Sequence, residues 1–555
     1  MRPHSLPAQV RPTTILDASG RPMGYIGAPA HQAADLTSQE LINFRPSLLS
    51  ADAAWLPERS RVIPRIHDLA RNDGWTAGTL NRYVDEAIGA SFRMTYMPDH
   101  VALGIDTDAA LELALEVEAA FRQFANDPRN FIDAQQKLNF SAQVGLAFRH
   151  RMRDGECFAA LRWQRRPWFA YRTAVLLISP ERVSNPNDAP DSDTLRGGVE
   201  MDASGVPIAY HVRTTHPGDA FYGQTDRYKW EKIDRRTPWG RPIMVHHFEP
   251  EDAGQTRGKS SLAAVVKKVF MANKYADAEM QAALINAVLA AYIESPMSSE
   301  DVAEALTDNT GDFDAYMASR TTFHETSKLT LNGARIPVLY PGEKIGMVDA
   351  ARPNASYADF EKRALRYYAA ATGQSYEQAA ADFSETNYSS ARAALLGPWK
   401  FLNARRDAFG QQFCSPIAAA WLEEAIDIGR VKLPKGAPDF WEAYAAYTQF
   451  RWTGPGRGWV DPTKEAEAAG IRMEYGLSCL QDEAADQGQD YYDLMIRQAR
   501  ERKLRKRFGL PDPRPASVAN ESDTESANRA DNEEDAARTG NSRERARRAR
   551  PKRAA

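Results

Sequence analysis

Between Gly258 and Tyr292 the chain reads GKSSLAAVVKKVFMANKYADAEMQAALINAVLAAY, with no proline and no glycine after its first residue. Leu262, Val266, Val269, Ala276, Met280, Leu284, Ala287 and Ala291 recur at spacings of three, four or seven, the period of one helix face. The pattern predicts a continuous helix over 258–292. Ser260 and Ser261 are placed to cap its start, and Pro296 lies just beyond its end. Such a helix is roughly 50 Å long at 1.5 Å per residue, long for a compact enzyme domain. Lys267, Lys274 and Gln281, seven apart, fall on the opposite face. One side is therefore small and apolar, the other basic and polar. The small side suits close packing, either inside an α-rich domain or against copies of itself.

The rest of the composition narrows the class. A chain of 555 residues is long enough for two to four packing units. Hydrophobic residues at 43% and charged residues at 26% are ordinary for a globular protein. A net charge of −4 excludes a uniformly basic nucleic-acid binder, so any such contact must be local. Cys157, Cys414 and Cys479 are far apart and lack metal-ligand spacing; they read as thiols of a cytosolic protein. The start has no apolar stretch of the signal-peptide kind, and no window approaches a membrane span.

In chain order, residues 1–55 read as an extended arm rich in Pro, Gly, Ala and Ser. Helices are predicted from Leu56, with Pro57 in the first turn, then over 77–88, 107–125 and 133–153. From Gly155 the period changes to two. GECFAALRW, AVLLISPERV, RGGVEMDASGVPIAYHVRT and MVHHFEPE are short strands, with a hairpin turn at Gly205. After the long helix come an acidic helix near 297–318, a β pattern over 320–348, and helices over 357–371, 389–428 and 463–508. Trp441 to Trp452 forms an aromatic helix or strand. Beyond Pro511 acidic and basic blocks replace apolar residues, a composition that cannot build a core.

No chemical motif stands out. His246 and His247 are neighbours on a strand, so their side chains point to opposite faces and read as structural. His211 and His216 have no partner at ligand spacing. Asp359, Asp382 and Glu385 are carboxylates that no spacing brings together. There is no phosphate loop, no HExxH and no GxSxG, so neither cofactor nor metal nor catalysis is expected. The tail from Arg543 to Arg553 is either a solvated end or a contact for an acidic partner.

Several runs occur in an order that resembles the lambda-type bacteriophage portal proteins. They are ARNDGWTAGTLNRYVDEAIG (70–89), RDGECFAAL (153–161), GGVEMDASGVPIAYHVRTTHPGD (197–219), HHFEPEDAGQTRGKSSLAAVV (246–266), DFSETNYSSARAALL (382–396) and WTGPGRGWVDPTKEAEA (452–468). The most distinctive of them carries Asp382, Phe383, Ser384, Glu385, Asn387, Tyr388, Ser389 and Arg392.

The resemblance implies an α+β portal fold. Its parts would be an N-terminal arm (1–55), a wing (56–255), a stem helix (256–292) and a clip with a second stem segment (293–335). A wing return strand and tunnel segment (336–384), a helical crown (385–510) and a charged tail (511–555) would follow. It further implies a homo-dodecameric ring at one capsid vertex that conducts double-stranded DNA without reading its sequence. Lys267, Lys274, Arg352, Lys362 and Arg363 become candidates for lining the channel. The implied partners are the terminase large subunit, head-completion proteins, and major capsid and scaffold proteins. The implied locations are the virion and, during assembly, the host cytoplasm. Two other readings stay open: a metal-dependent nuclease or protease of a phage head cluster, and an adaptor that holds DNA through its basic tail.

Overall fold

The computed structural model describes two compact units, Met1–Pro455 and Gly456–Ala555. Described residues are 43–219, 228–289, 357–384, 386 and 388–455 in the first, with short pieces within 31–41 and 322–336, and 456 and 462–510 in the second.

Helix α1 (Ala51–Asn72) starts five residues before the predicted Leu56, inside the expected arm. Ser50 Oγ accepts the Ala53 N–H at 3.2 Å and caps it. Pro57 and Pro64 both lie within the helix, where each removes a backbone bond. Tertiary contacts hold it instead: Trp55, Ile63, Ile66 and Leu69 are buried, and the Trp55 indole N–H donates to Gly258 O at 2.8 Å. Helix α2 (Gly74–Ala87) starts three residues early because Asp73 accepts the Thr76 N–H and hydroxyl at 2.8 and 2.6 Å. Helix α3 (Thr107–Ala125) has the predicted bounds. Helix α4 (Phe140–Asp154) starts late. The carboxylate of Asp133 takes the N–H groups of Gln135, Lys137 and Leu138, folding that stretch into a loop before the Asn139 cap.

Strands β1 (Arg93–Tyr96), β2 (Glu156–Trp163), β3 (Thr173–Ile178), β4 (Leu195–Arg196), β5 (Val199–Met201), β6 (Pro207–Arg213), β7 (Trp230–Asp234) and β8 (Met244–Phe248) follow in chain order, β1 lying between α2 and α3. Strands β2 to β8 form an antiparallel sheet β3-β2-β8 and a meander β4-β5-β6-β7. The strand β7 was not anticipated. The hairpin before β6 turns at Gly205, φ +81°, with Asp202 accepting the N–H groups of Ser204 and Val206. Phe158, Ile178, Tyr210 and Met244 form a small core of their own.

After the long helix α5 (Val266–Leu289) and a short pair β9 (Leu329–Leu331) and β10 (Ala334–Ile336) come helices α6 (Tyr357–Thr372), α7 (Tyr376–Ala380), α8 (Tyr388–Phe409) and α9 (Ser415–Asp427). A π turn, Gly410–Cys414, joins α8 to α9. A side chain at Gly410 would press on Trp452 at 2.9 Å. Strand β11 (Phe450–Thr453) then pairs antiparallel with β1, Arg93 opposite Thr453. One hydrophobic core therefore runs from Trp55 to Trp452. At its centre Phe121 meets Phe140 and Trp421 edge-on, at 5.3 and 5.0 Å. Residues on both sides of 384/385 belong to this core, and the first compact unit extends to Pro455.

The second unit has helices α10 (Pro462–Glu474), α11 (Leu480–Asp486) and α12 (Tyr491–Arg507) where one long helical stretch was predicted. Gly476 and Gly488, both at φ +68°, break it. Arg472 forks onto Glu483 at 2.8 and 2.6 Å. Among the described residues no helix is long and apolar enough to cross a membrane.

Candidate functional site

The long helix grows out of a buried charged junction. Glu156 begins β2 with its side chain fully buried. Arg257, 1% exposed, brings Nε and Nη2 onto its two oxygens at 2.6–3.0 Å. Arg59 of α1 adds a bond at 2.9 Å, His246 of β8 another at 3.1 Å, and the Gly258 N–H a third at 3.0 Å. Arg257 spends its remaining donors on the carbonyls of Pro180, Val183 and Gly197. Burial alone would raise the Glu156 carboxyl, but Arg257 and Arg59 hold it well below the usual carboxylate range. Burial depresses the His246 imidazole against the pull of Glu156, and pushes His247, on the other face of the strand, down to about 3.

The chain crosses itself here. A Cβ on Gly155 would collide with the backbone of Lys259, and one on Gly258 with the backbone of Gly155. That is why the runs RDGECF and TRGKS carry a glycine each. Asp52 completes the lock by accepting the Thr256 N–H and hydroxyl at 2.8 and 2.6 Å.

The helix that leaves this junction starts later than predicted. Residues 256–260 are a largely buried loop, and Ser261–Ala264 is a 3-10 turn capped by Ser260 Oγ on the Leu262 N–H at 3.2 Å. The α-helix begins at Val266, so Ser261 is not its cap, and its 24 residues span about 36 Å. The end expected at Tyr292 lies outside the described residues. Val265, Val269 and Ala272 are buried. Tyr275 meets Phe360 of α6 edge-on at 4.8 Å, the Lys268 ammonium sits 3.4 Å above Tyr367, and Asn273 donates to Asp73 at 3.0 Å.

Lys267 and Lys274 stand on the open side, as the periodicity required. That side is not purely polar, however. Phe270 and Met271 are exposed beside them, and the Lys274 ammonium lies 4.7 Å from the Phe270 ring. Met280 and Leu284, assigned to the packing face, are 61% and 66% exposed within this chain.

On α6, Lys362 and Arg366 point their charges at Tyr376, 5.7 and 5.5 Å from its ring, and Arg363 is exposed. Packing of α6 on α5 brings these cations and the lysines of α5 onto one helix pair. Arg352 lies outside the described residues. Asp382 accepts the Ser384 N–H at 3.0 Å and its hydroxyl at 2.6 Å, which keeps its carboxyl below its ordinary value; Phe383 is exposed. Glu385 and Asn387 lie outside the described residues. Tyr388, Ser389 and Arg392 fall in α8, their side chains likewise outside. The run 70–89 has a packing role: Thr79 bonds Gln374 at 3.1 Å, Tyr83 donates to Thr372 O, and Arg82 to Ala379 O at 3.4 Å.

One cluster escaped the sequence reading. His67 of α1, Asp154 at the end of α4 and Glu181 after β3 bring their ligand atoms within 4.8 Å of one another. No spacing relates the three. His67 Nε2 lies 2.6 Å from Asp154 and 3.0 Å from Glu181. Burial opposes the charge on His67, but these two carboxylates raise its pKa to about 9. Arg153 holds both oxygens of Asp154 at 2.9 and 2.8 Å. The trio is an imidazolium clamp across three elements, although its donor types are those a divalent cation uses.

The junction and the long helix fall within the stretch that a family model matches. The model is that of the phage portal proteins, lambda family, and it covers residues 37–406. The chain belongs to this family. It is 33% identical over 505 residues to the portal protein of Escherichia phage N15, covering 90% of this chain and 94% of that one. It is 34% identical over 496 residues to portal protein B of Escherichia phage lambda, covering 87% and 91%. A probable portal protein of Halomonas phage phiHAP-1 is 26% identical over 74% of each chain. Among solved structures, chains in the virion and in the C12-symmetric neck of a native gene transfer agent particle align over 77% and 76% of this chain and 93% of each of theirs. Their identity is 12% and their TM-score 0.35, and nothing below rests on them. Portal proteins are structural components of the phage head–tail connector, so this chain is not an enzyme. The nuclease or protease alternative falls with that assignment.

Proposed function

We propose that the protein assembles as a dodecameric ring at one capsid vertex and forms the channel through which double-stranded DNA is packaged and ejected. The observation that carries the reading is the state of α5 in a chain of this family. It is anchored by a buried, ion-paired junction, yet it leaves Met280 and Leu284 bare and Lys267 and Lys274 pointing outward. A helix so placed gains by packing on copies of itself around a closed ring. Lysines on its open side give phosphate contacts without sequence preference, which lets DNA slide.

In this reading the wing is 51–255 together with 388–455, which share one core, and the crown shrinks to 456–510. The stem helix is 266–292, the clip 293–335, the return strand and tunnel segment 336–384, and the tail 511–555. The clip receives the terminase large subunit and later the head-completion proteins, while the outer surface meets major capsid and scaffold proteins. Assembly takes place in the host cytoplasm and ends in the virion. Negative-stain imaging with analytical ultracentrifugation tests this. Closed rings of about twelve subunits are expected; a monomer or small open oligomer at micromolar concentration overturns it.

A further inference from the structure

A cleft of about 910 Å³ lies between the end of β2, the 237–243 loop and the segment from α9 to Glu442. Three tryptophans line it. Trp163 and Trp239 are 57% and 59% exposed, while Trp441 is half-buried, stacked on Tyr444 at 5.2 Å. Two exposed indoles in one concave surface mark a contact site rather than a solvated loop.

The acids of the cleft divide into two kinds. Glu423 accepts the indole N–H groups of Trp239 and Trp441 at 2.9 and 3.2 Å and the Arg241 guanidinium at 2.5 Å. Glu424, buried, accepts the N–H groups of Arg172 and Thr173 at 2.6 and 3.0 Å. These two fix the walls. Asp427, Asp439 and Glu442 are exposed and carry neither ion pair nor side-chain hydrogen bond among the described residues. Arg162, the other cation of the lining, is forked onto Glu231 at 2.7 and 2.9 Å. The free charge of the cleft is therefore negative. The chain also shows which cation its aromatic wall accepts: the guanidinium groups of Arg241 and Arg172 lie 5.1 and 5.8 Å from the Trp163 ring.

We propose that this cleft is a docking groove for an extended, arginine-bearing segment of a partner protein. The tryptophans take the apolar stem and the planar face of the guanidinium, and the three uncommitted carboxylates take its charge. The same carboxylates repel phosphate, so a nucleic-acid strand is the wrong occupant. Charge complementarity of this kind sets partner choice and on-rate more than bulk affinity.

The test uses the full-length protein in its assembled form and two amidated peptides, Ac-LRLRAA and Ac-LELEAA, followed by calorimetry and tryptophan fluorescence. The arginine peptide should bind about tenfold or more tightly than the glutamate peptide and lose affinity with added salt. Trp163→Ala changes an exposed side chain, so the fold should survive. The triple variant Asp427→Asn/Asp439→Asn/Glu442→Gln keeps size and removes charge. Each should weaken the arginine peptide by about tenfold while leaving the sedimentation profile unchanged. Equal binding of both peptides, indifference to either variant, or displacement by a DNA duplex overturns the proposal. So does binding by the dissociated subunit alone, which would mean that a second copy covers the groove. The dissociated-subunit comparison rests on assembly; the peptide preference and the two variants can be read on any oligomer, and the oligomer size tests the channel reading separately.

Discussion

Removing Arg257 probes the junction on which the long helix stands. In Arg257→Ala the Glu156 carboxylate keeps His246 and Arg59 but loses its two-toothed partner while remaining fully buried. The carbonyls of Pro180, Val183 and Gly197 lose their donor as well. Breaking a buried ion pair from one side costs about 3–5 kcal/mol, and with both groups 0–1% exposed no solvent discount applies. A loss of that size lowers the melting temperature of the first unit, Met1–Pro455, by on the order of 3–5 °C. Glu156 has a folded pKa well below its unfolded one, so its contribution is present above the unfolded value and vanishes only as pH falls through the folded one. The deficit should therefore be constant across neutral pH. Differential scanning calorimetry at several neutral pH values measures it. A change under about 1 kcal/mol would refute the claim that this pair anchors the helix. Recovery in a double variant, Arg257→Met with Glu156→Leu, would show that the cost lies in the stranded charge.

Two further outcomes follow from the same region. Gly258→Ala should prevent stable folding where the 256–260 loop crosses the α4–β2 turn, because its Cβ meets the backbone of Gly155; limited proteolysis should cut near 258, and a fully resistant variant would contradict the packing. The imidazolium clamp predicts a pH slope: with its folded pKa near 9 against 6.5 unfolded, His67 stabilises fully below about pH 6.5 and loses that contribution as pH rises through 9. Thermal melts from pH 6 to 9.5 should fall for the parent and fall less for His67→Gln; parallel curves would show that the clamp carries no proton-linked stability.

What was legible in the chain followed from local rules. The bounds of α3 and the strands around Gly205 came from period and turn chemistry, which neighbours along the chain determine. What was missed came from partners far apart. Helix α1 begins at Ala51 because Asp52 and Trp55 bond Thr256 and Gly258, some two hundred residues away, and this outweighs Pro57. The period of 258–292 reads as helix to its first residue. Yet Arg257 and Gly258 are pinned to Glu156, and the first turn is spent on that corner. The packing of α8 and α9 was equally hidden: they look like a separate helical block until Trp421 and Trp452 meet Phe121. His67, Asp154 and Glu181 share no spacing at all. The open face of α5 was half read, since Phe270 and Met271 lie on it beside the lysines.

That face separates assembly from conduction. A proline at Ala283 removes one backbone hydrogen bond and clashes with the preceding turn, costing roughly 3 kcal/mol or more. Among the described side chains the buried residues of α5 end at Ala272 and the ring contacts to α6 at Tyr275, so a kink at 283 leaves the anchored half of the helix in place. The first unit should keep its melting transition. In a closed ring the kink recurs in every subunit, and Met280 and Leu284 are turned away from any neighbour. Ala283→Pro should therefore sediment as a folded subunit or open oligomer. Lys274→Ala should close rings normally, because among the described residues its ammonium meets only the Phe270 ring of its own helix. Its defect should appear in DNA retention and shrink at high salt, where the parent's phosphate contacts weaken too. Intact rings from the proline variant would mean that residues 266–289 do not pack around the channel. A retention defect in Lys274→Ala that persists at high salt would mean that the lysine acts through its contact with Phe270 rather than through charge.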